Sequence, residues 1–184
     1  GVMQLSAICK QAGHETRLVA LKKGSIREVL DEFVPDLIGY SVMTSDAYLF
    51  KQADEIVRSW SAETKKNISR IMGGPHPTYF PEVLGKLNLD AICIGDGENA
   101  ILAILEAIQS GKDLSGIPNV ATQLQLESEK EVVEDMDSLP FADRKLIYDC
   151  DPDLQNIGLR SFLTQKGCPY LCTYCFNHAY NLMF

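Results

Sequence analysis

A chain of 184 residues has room for one core-forming domain and a short extension. Its hydrophobic fraction of 46% and charged fraction of 23% are those of an ordinary globular protein, and no stretch of about 18 apolar residues offers a membrane span. A net charge of −8 argues against a general nucleic-acid binder, which carries a basic face.

The segment "VMQLSAICKQAG" (2–13) sets Val2, Leu5, Ile8 and Cys9 on one helical face and stops at Gly13. "ETRLVAL" (15–21) reads as a short strand. "SIREVLDEF" (25–33) is a helix with Ser25 as its N-cap and Glu28 three residues on. "PDLIGYSV" (35–42) is an almost unbroken apolar strand, the kind buried on both faces of a parallel sheet. "SDAYLFKQADEIVRSW" (45–60) is a long amphipathic helix capped by Ser45 or Asp46. There follow a strand in "NISRIMGG" (67–74), a short helix in "PEVLGKL" (81–87), a strand in "LDAICIGDG" (89–97) and a helix in "ENAILAILEAIQSG" (98–111).

Repeated β-α units predict parallel strands, right-handed crossovers and a doubly wound α/β sheet, Rossmann-like with flavodoxin-like order. Such sheets begin with a strand and this pattern begins with a helix, so the expectation is a sheet lacking its first strand. Beyond Gly111 the pattern changes. "GIPNVATQLQLESEKEVVED" (116–135) reads as a β-hairpin. "MDSLPFADRKLIYDCDPDLQ" (136–155) is acidic, carries two prolines and reads as a linker. "RSFLTQKG" (160–167) reads as a strand that opens a second domain. The expected organisation is thus a sheet domain over 1–115, hairpin and linker over 116–160, and the start of a second domain over 161–184.

Ligands of open parallel sheets bind beyond the carboxyl ends of the strands. Three stretches lie there: "SVMTSDAY" (41–48), "MGGPHPTYFPE" (72–82) and "GDGENA" (95–100). Gly73, Gly74, Gly95 and Gly97 let backbone approach a ligand or take positive φ. Ser41, Thr44, Ser45 and Thr78 offer hydroxyls, and His76 stands stiffened between Pro75 and Pro77. The same stretches read equally well as tight β-α turns. Neither a G-x-G-x-x-G after a strand nor a G-x-x-x-x-G-K-[ST] is present, so dinucleotide and P-loop sites are not indicated.

Six cysteines without a secretory signal point to a reducing, cytoplasmic setting, where clustered thiols serve metals or catalysis. Cys9, Cys93 and Cys150 are scattered and read as small buried hydrophobes. Cys168, Cys172 and Cys175 fall together in "KGCPYLCTYCFNH" (166–178) with spacing C-x3-C-x2-C. Three thiolates there suit either a zinc ion, with His178 as fourth ligand, or an iron–sulfur cluster with one iron left open.

"CPYLCTYC" after a strand resembles the radical S-adenosylmethionine (SAM) family. The resemblance implies that Cys168, Cys172 and Cys175 ligate a 4Fe–4S cluster whose open iron binds SAM, that Tyr174 lies against the adenine, and that one electron cleaves SAM to a 5′-deoxyadenosyl radical. "GGPHPT", "DAICIGDGENA" and "DSLPFADR" extend the resemblance to the subclass with an N-terminal cobalamin-binding domain. This implies that loops carrying Gly73, Gly74, Pro75, His76, Thr78, Gly95, Asp96, Gly97 and Glu98 contact cobalamin. Ser41, Met43, Thr44 and Ser45 then face the corrin. The D-x-H-x-x-G signature of other cobalamin enzymes is absent, and His76 is not assigned to cobalt.

The implied fold is a cobalamin-binding Rossmann-like domain followed by the start of a radical SAM barrel. The implied activity of the whole enzyme is methyl transfer to an unactivated carbon or phosphorus centre. A non-methylating reaction such as oxidative cyclisation, and a cobalamin-binding or Cys3His zinc module without catalysis, are the alternatives. The substrate, a small molecule or peptide, is not named by the residues. An electron donor of flavodoxin or ferredoxin type is implied, no membrane is, and these 184 residues alone are expected not to turn over.

Overall fold

In the computed structural model, which describes residues 1–21, 23–163 and 165–184, three parallel strands make the core. They are β1 (Leu37–Ser41), β2 (Ser69–Gly73) and β3 (Ala91–Cys93). β4 (Val120–Ala121) adds to β3 antiparallel, and the sheet order is β1-β2-β3-β4. The helices are α1 (Val2–Gln11), α2 (Ile26–Phe33), α3 (Ala47–Thr64), α4 (Pro75–Tyr79), α5 (Val83–Lys86) and α6 (Glu98–Gln109). Then come α7 (Arg144–Cys150), α8 (Asp153–Asn156) and α9 (Asn177–Met183).

Strand alternation divides the apolar residues between two faces. Tyr40, Val42, Met72, Ile92 and Ile94 point to one side, where Phe50 of α3 and Val83 and Leu84 of α5 cover them. Ile71, Ala91 and Cys93 point to the other, against Ala100, Ile104 and Ala107 of α6. Successive right-handed crossovers in one direction put α3, α4 and α5 on one face. The reversal at β4 leaves α6 on the other, where α1 packs beside it. The doubly wound expectation holds. Among the described residues no helix is long and apolar enough to cross a membrane.

Ser25 caps α2 as expected, its hydroxyl accepting from the Glu28 N–H at 3.3 Å. Asp46 stands at the N-cap of α3 but makes no side-chain cap bond, because a 3-10 turn (Thr44–Asp46) already leads into the helix. α2 and α3 meet around Leu30, Val57 and Trp60, and the Trp60 indole donates to Asp31 at 2.6 Å. Asp54 of α3, 1% exposed, is held by both Arg70 Nη1 contacts at 2.9 Å and by the Tyr40 hydroxyl at 3.0 Å. Burial, then the adjacent Asp54 charge, pushes the Tyr40 hydroxyl well above its usual range, so it stays a donor.

Four expectations change. Residues 15–20 are not a strand: no sheet neighbour lies beside them among the described residues, and without a ladder an extended segment stays irregular. The 116–135 hairpin forms only its first limb, β4. Thr122 and Gln125 exchange backbone bonds at the turn, but the return limb is charged and is tied instead through Asn119 to Glu129 and Glu131. The 136–155 linker contains α7, whose cap Asp143 is clamped to α1: its carboxylate accepts from Ser6 at 2.7 Å and from Lys10 at 2.6 Å. Finally, 160–163 and 165–167 have no strand partner, and Phe162 and Leu163 are exposed; Thr164 lies outside the described residues.

Candidate functional site

β1, β2 and β3 end at the same edge, and each leads into a turn and a helix. Ser41, Met43, Thr44 and Ser45 form an exposed rim after β1. Gly74 follows β2 with φ +94°, and the turn closes on Val42: the His76 N–H donates to the Val42 carbonyl at 2.9 Å. A Cβ at Gly74 would meet the Val42 carbonyl oxygen at 3.0 Å. Glycine is therefore required there by the neighbouring strand end, not by a ligand. Pro75 is the first residue of α4, so the stretch expected as a loop is a short helix with proline where its missing N–H costs nothing.

Thr78 is 5% exposed and its hydroxyl is fully used, donating to the Gly74 carbonyl at 2.9 Å and accepting from the Gly95 N–H at 3.0 Å. It braces the second loop to the third. His76 stacks on Phe80 at 5.4 Å, with its Nδ1 3.4 Å from the Thr44 hydroxyl. Cβ atoms at Gly73 and Gly97 would make only ordinary contacts with Cys93 and Leu5, so these two glycines face the protein. Gly95 differs. Its φ is +81°, and the space its Cβ would take is covered by the Phe184 ring, 2.1 Å away. A bare Cα here leaves a cradle that a flat aromatic ring fills.

Asp96 and Glu98 are engaged by the end of the chain. Lys166 lies 2.6 Å from Glu98 and 3.2 Å from Asp96, and the Tyr180 hydroxyl donates to Asp96 at 3.2 Å. Burial, then the Asp96 charge, pushes the Tyr180 hydroxyl up. Asn119, 1% exposed with φ +62°, donates to the Asp96 carbonyl at 2.9 Å and to the Glu131 carbonyl at 2.6 Å. Cys93 lies under the loop, its thiol pushed up to about 12 by burial and then by Glu98, a buried and inert thiol as expected. Cys9 is likewise buried, whereas Cys150 is half-buried.

The sequence pairs Cys168, Cys172 and Cys175 as one ligand set, and the structure does not gather them. Among the described residues no group of three His, Cys, Asp or Glu side chains stands ready to hold a metal ion. All three thiols are half-buried on one loop, closed by the Cys175 N–H on the Cys172 carbonyl and by Asn181 on the Cys168 carbonyl. Thiolate loops of this kind draw closed on their ion, because metal binding and local folding are coupled. Tyr174 is 89% exposed on the same loop. The residues that sequence reading missed are Lys166, Tyr180, Phe184 and Asn119. Only Lys166 carried a local signal, as the cation two positions before the first cysteine.

The family model described as "B12 binding domain" matches residues 1–105. This chain belongs to the B12-binding domain family. The matched region contains all three loops at the carboxyl edge, and the resemblance to cobalamin-binding radical SAM proteins is borne out. The chain is similar to an uncharacterized methyltransferase of Pyrococcus horikoshii (23% identity, 95% of this chain, 39% of that protein). It is also similar to the anaerobic magnesium-protoporphyrin IX monomethyl ester cyclase of Rubrivivax gelatinosus (25% identity, 84% of this chain, 29% of that protein). It thus spans well under half of either relative.

Among solved structures, TsrM from Kitasatospora setae, a radical SAM methyltransferase, superposes with TM-score 0.69 at 18% identity, covering 95% of this chain and 37% of that one. The cobalamin-dependent SAM radical enzyme OxsB superposes with TM-score 0.67 at 17% identity, over 82% of this chain and 22% of that one. These likenesses establish the shared Rossmann-like fold. The region matched by the B12-binding model takes in β1, β2 and β3, the helices from α1 to α5 and most of α6.

Proposed function

We propose that this chain is the N-terminal portion of a cobalamin-dependent radical SAM enzyme that transfers a methyl group to an unactivated carbon or phosphorus centre. The observation that carries the reading is the juxtaposition at one sheet edge: the Gly95 cradle beneath an aromatic ring, and a three-cysteine segment tied to the same loop by Lys166. Cobalamin would rest against the loops of Gly74, His76 and Gly95, with Ser41, Met43, Thr44 and Ser45 at its rim. Cys168, Cys172 and Cys175 would hold a 4Fe–4S cluster that binds SAM, with Tyr174 beside the adenine. When bound, these groups supply the methyl group and the radical that attack on an inert bond demands.

The chain's own residues orient and shield. Thr78 fixes the second and third loops relative to each other, so the cradle is preformed rather than assembled on binding. The Glu98–Lys166 pair holds the cysteine-bearing segment against the cradle, where the two cofactors must meet. An external electron donor of flavodoxin or ferredoxin type, in a reducing cytoplasm, would serve the cluster held by these half-buried thiols. Turnover is expected of a protein of the relatives' full span, not of these 184 residues alone. The cyclase relatives support a second reading, an oxidative ring closure by the same cofactors.

Anaerobic reconstitution with iron and sulfide tests the cluster half. The expected product is a brown protein whose spin-resonance signal shifts with SAM, and whose colour is lost in Cys168→Ala, Cys172→Ala or Cys175→Ala. A colourless protein that takes up only zinc would overturn it. Titration with cyanocobalamin tests the other half, and Gly95→Ala is expected to weaken uptake at least tenfold, because its Cβ projects into the cradle.

A further inference from the structure

The last nineteen residues cross the loop after β3 at several points. Lys166 anchors the near end on Glu98, which is only 8% exposed, and on Asp96. In the middle, the Tyr79 hydroxyl donates to the Phe176 carbonyl at 3.0 Å and their rings lie 4.8 Å apart. Beyond that, Tyr180 bonds Asp96 and stacks on Phe184 at 4.6 Å. The far end closes on the core: Met183 and Phe184 pack against the cluster around Ile92 and Ile94, with the Phe184 ring directly over Gly95.

We infer that residues 166–184 are a strap over the β3–α6 loop, and that the Phe184 ring and a corrin ring compete for the one space above Gly95. This rests on the cobalamin reading above. Both occupants are flat and largely apolar, and two rings cannot share a contact that leaves no room for a methyl group. The apparent affinity for the ligand is then its intrinsic affinity reduced by the fraction of chains with the strap open. The strap also carries the cysteines: Asn181 of α9 holds the Cys168 carbonyl at 2.7 Å, so lifting α9 releases the cysteine loop. Occupancy of the cradle is thereby communicated to the thiols. Lys166 holds one side of the strap at the root of α6, and the Tyr180–Phe184 pair covers Gly95 on the other.

The experiment combines cyanocobalamin titration with amide hydrogen exchange on the 184-residue chain and on Phe184→Ala and Lys166→Gln. Phe184→Ala is expected to bind about tenfold tighter, the gain from removing a competitor that closes the cradle in roughly nine chains of ten. In the wild-type chain, cyanocobalamin is expected to slow exchange over 94–98 and to speed it over 177–184. Lys166→Gln speeds exchange over 177–184 without ligand. Equal or weaker binding by Phe184→Ala, with exchange over 177–184 unchanged or slowed by the ligand, overturns the strap and leaves cobalamin binding intact. Unchanged exchange over 177–184 in Lys166→Gln also overturns the strap. No uptake by any of the three proteins overturns the strap and the cobalamin reading together.

Discussion

Single residues at the sheet edge divide into those that serve the protein and those left for a ligand, and glycine shows the division best. Gly74 has positive φ and two close contacts with the Val42 backbone, which cannot retreat. Gly74→Ala is therefore expected to lose more than about 1 kcal/mol. Gly73→Ala and Gly97→Ala, whose new methyls meet only ordinary neighbours at 3.5 Å or more, should stay within about 1 kcal/mol of wild type. Urea midpoints of the three variants check the order. Asp143 gives a pH signature. Burial opposes its charge, but hydrogen bonds from Lys10, Ser6 and the Leu146 N–H outweigh it and hold its carboxyl below the usual range. A depressed native value means that its stabilisation is complete above the unfolded carboxylate range of about 4 and is lost as pH falls through the native value. Asp143→Ala should cost about 1–3 kcal/mol at pH 7, with the gap to wild type narrowing below pH ~4 in urea titrations.

At the level of elements, α3 is tied to the sheet by a buried charge as well as by apolar packing. Asp54 has Arg70 and Tyr40 as partners, and Arg70 also donates to the Asn88 carbonyl at 2.6 Å. Removing one member strands the others. Arg70→Met is expected to cost about 3–5 kcal/mol, since it leaves Asp54 buried with only a phenol. Tyr40→Phe, which leaves the ion pair in place, should cost only about 1 kcal/mol. Chemical denaturation of both variants decides between this hierarchy and a merely apolar contact. The α1–α7 contact is of the opposite kind. Its polar clamp is at the surface end, and it joins residues 133 and 137 apart in the chain whose individual patterns gave no sign of meeting.

For the molecule as a whole, β3 is the element on which both faces depend. Ile92 belongs to one apolar cluster, and Ala91 and Cys93, its neighbours, to the other. All three are buried, so β3 couples the two layers into one cooperative unit. Ile92→Ala should lower the melting temperature by roughly 10 °C in a single transition followed by circular dichroism. Two separate transitions would mean that the layers unfold independently. The region beyond α8 follows different rules: Leu159, Phe162, Leu163, Leu171 and Leu182 are all exposed, and its contacts with the sheet's loop edge run through Lys166, Phe176, Tyr180 and Phe184.

The sequence alone determined the parallel core. Apolar runs at β1, β2 and β3 alternate with amphipathic helices, and that local alternation leaves one economical way to bury both sheet faces. It also marked out the candidate site: the loops after three parallel strands converge whatever their side chains, and the cysteine spacing is a property of one short segment. The need of a strand for a distant partner was illegible, which is why 15–21, 160–163 and 165–167 read as strands and, among the described residues, form none. Local pattern reports propensity, while a strand exists only where another backbone completes its hydrogen bonds. The roles of the glycines were decided by tertiary structure in the same way. Four looked alike in the sequence, and only the packing of Val42, Cys93, Leu5 and Phe184 against them separates one cradle from three structural turns. What meets each missing Cβ depends on chain segments tens of residues away, a distance over which periodicity carries no information.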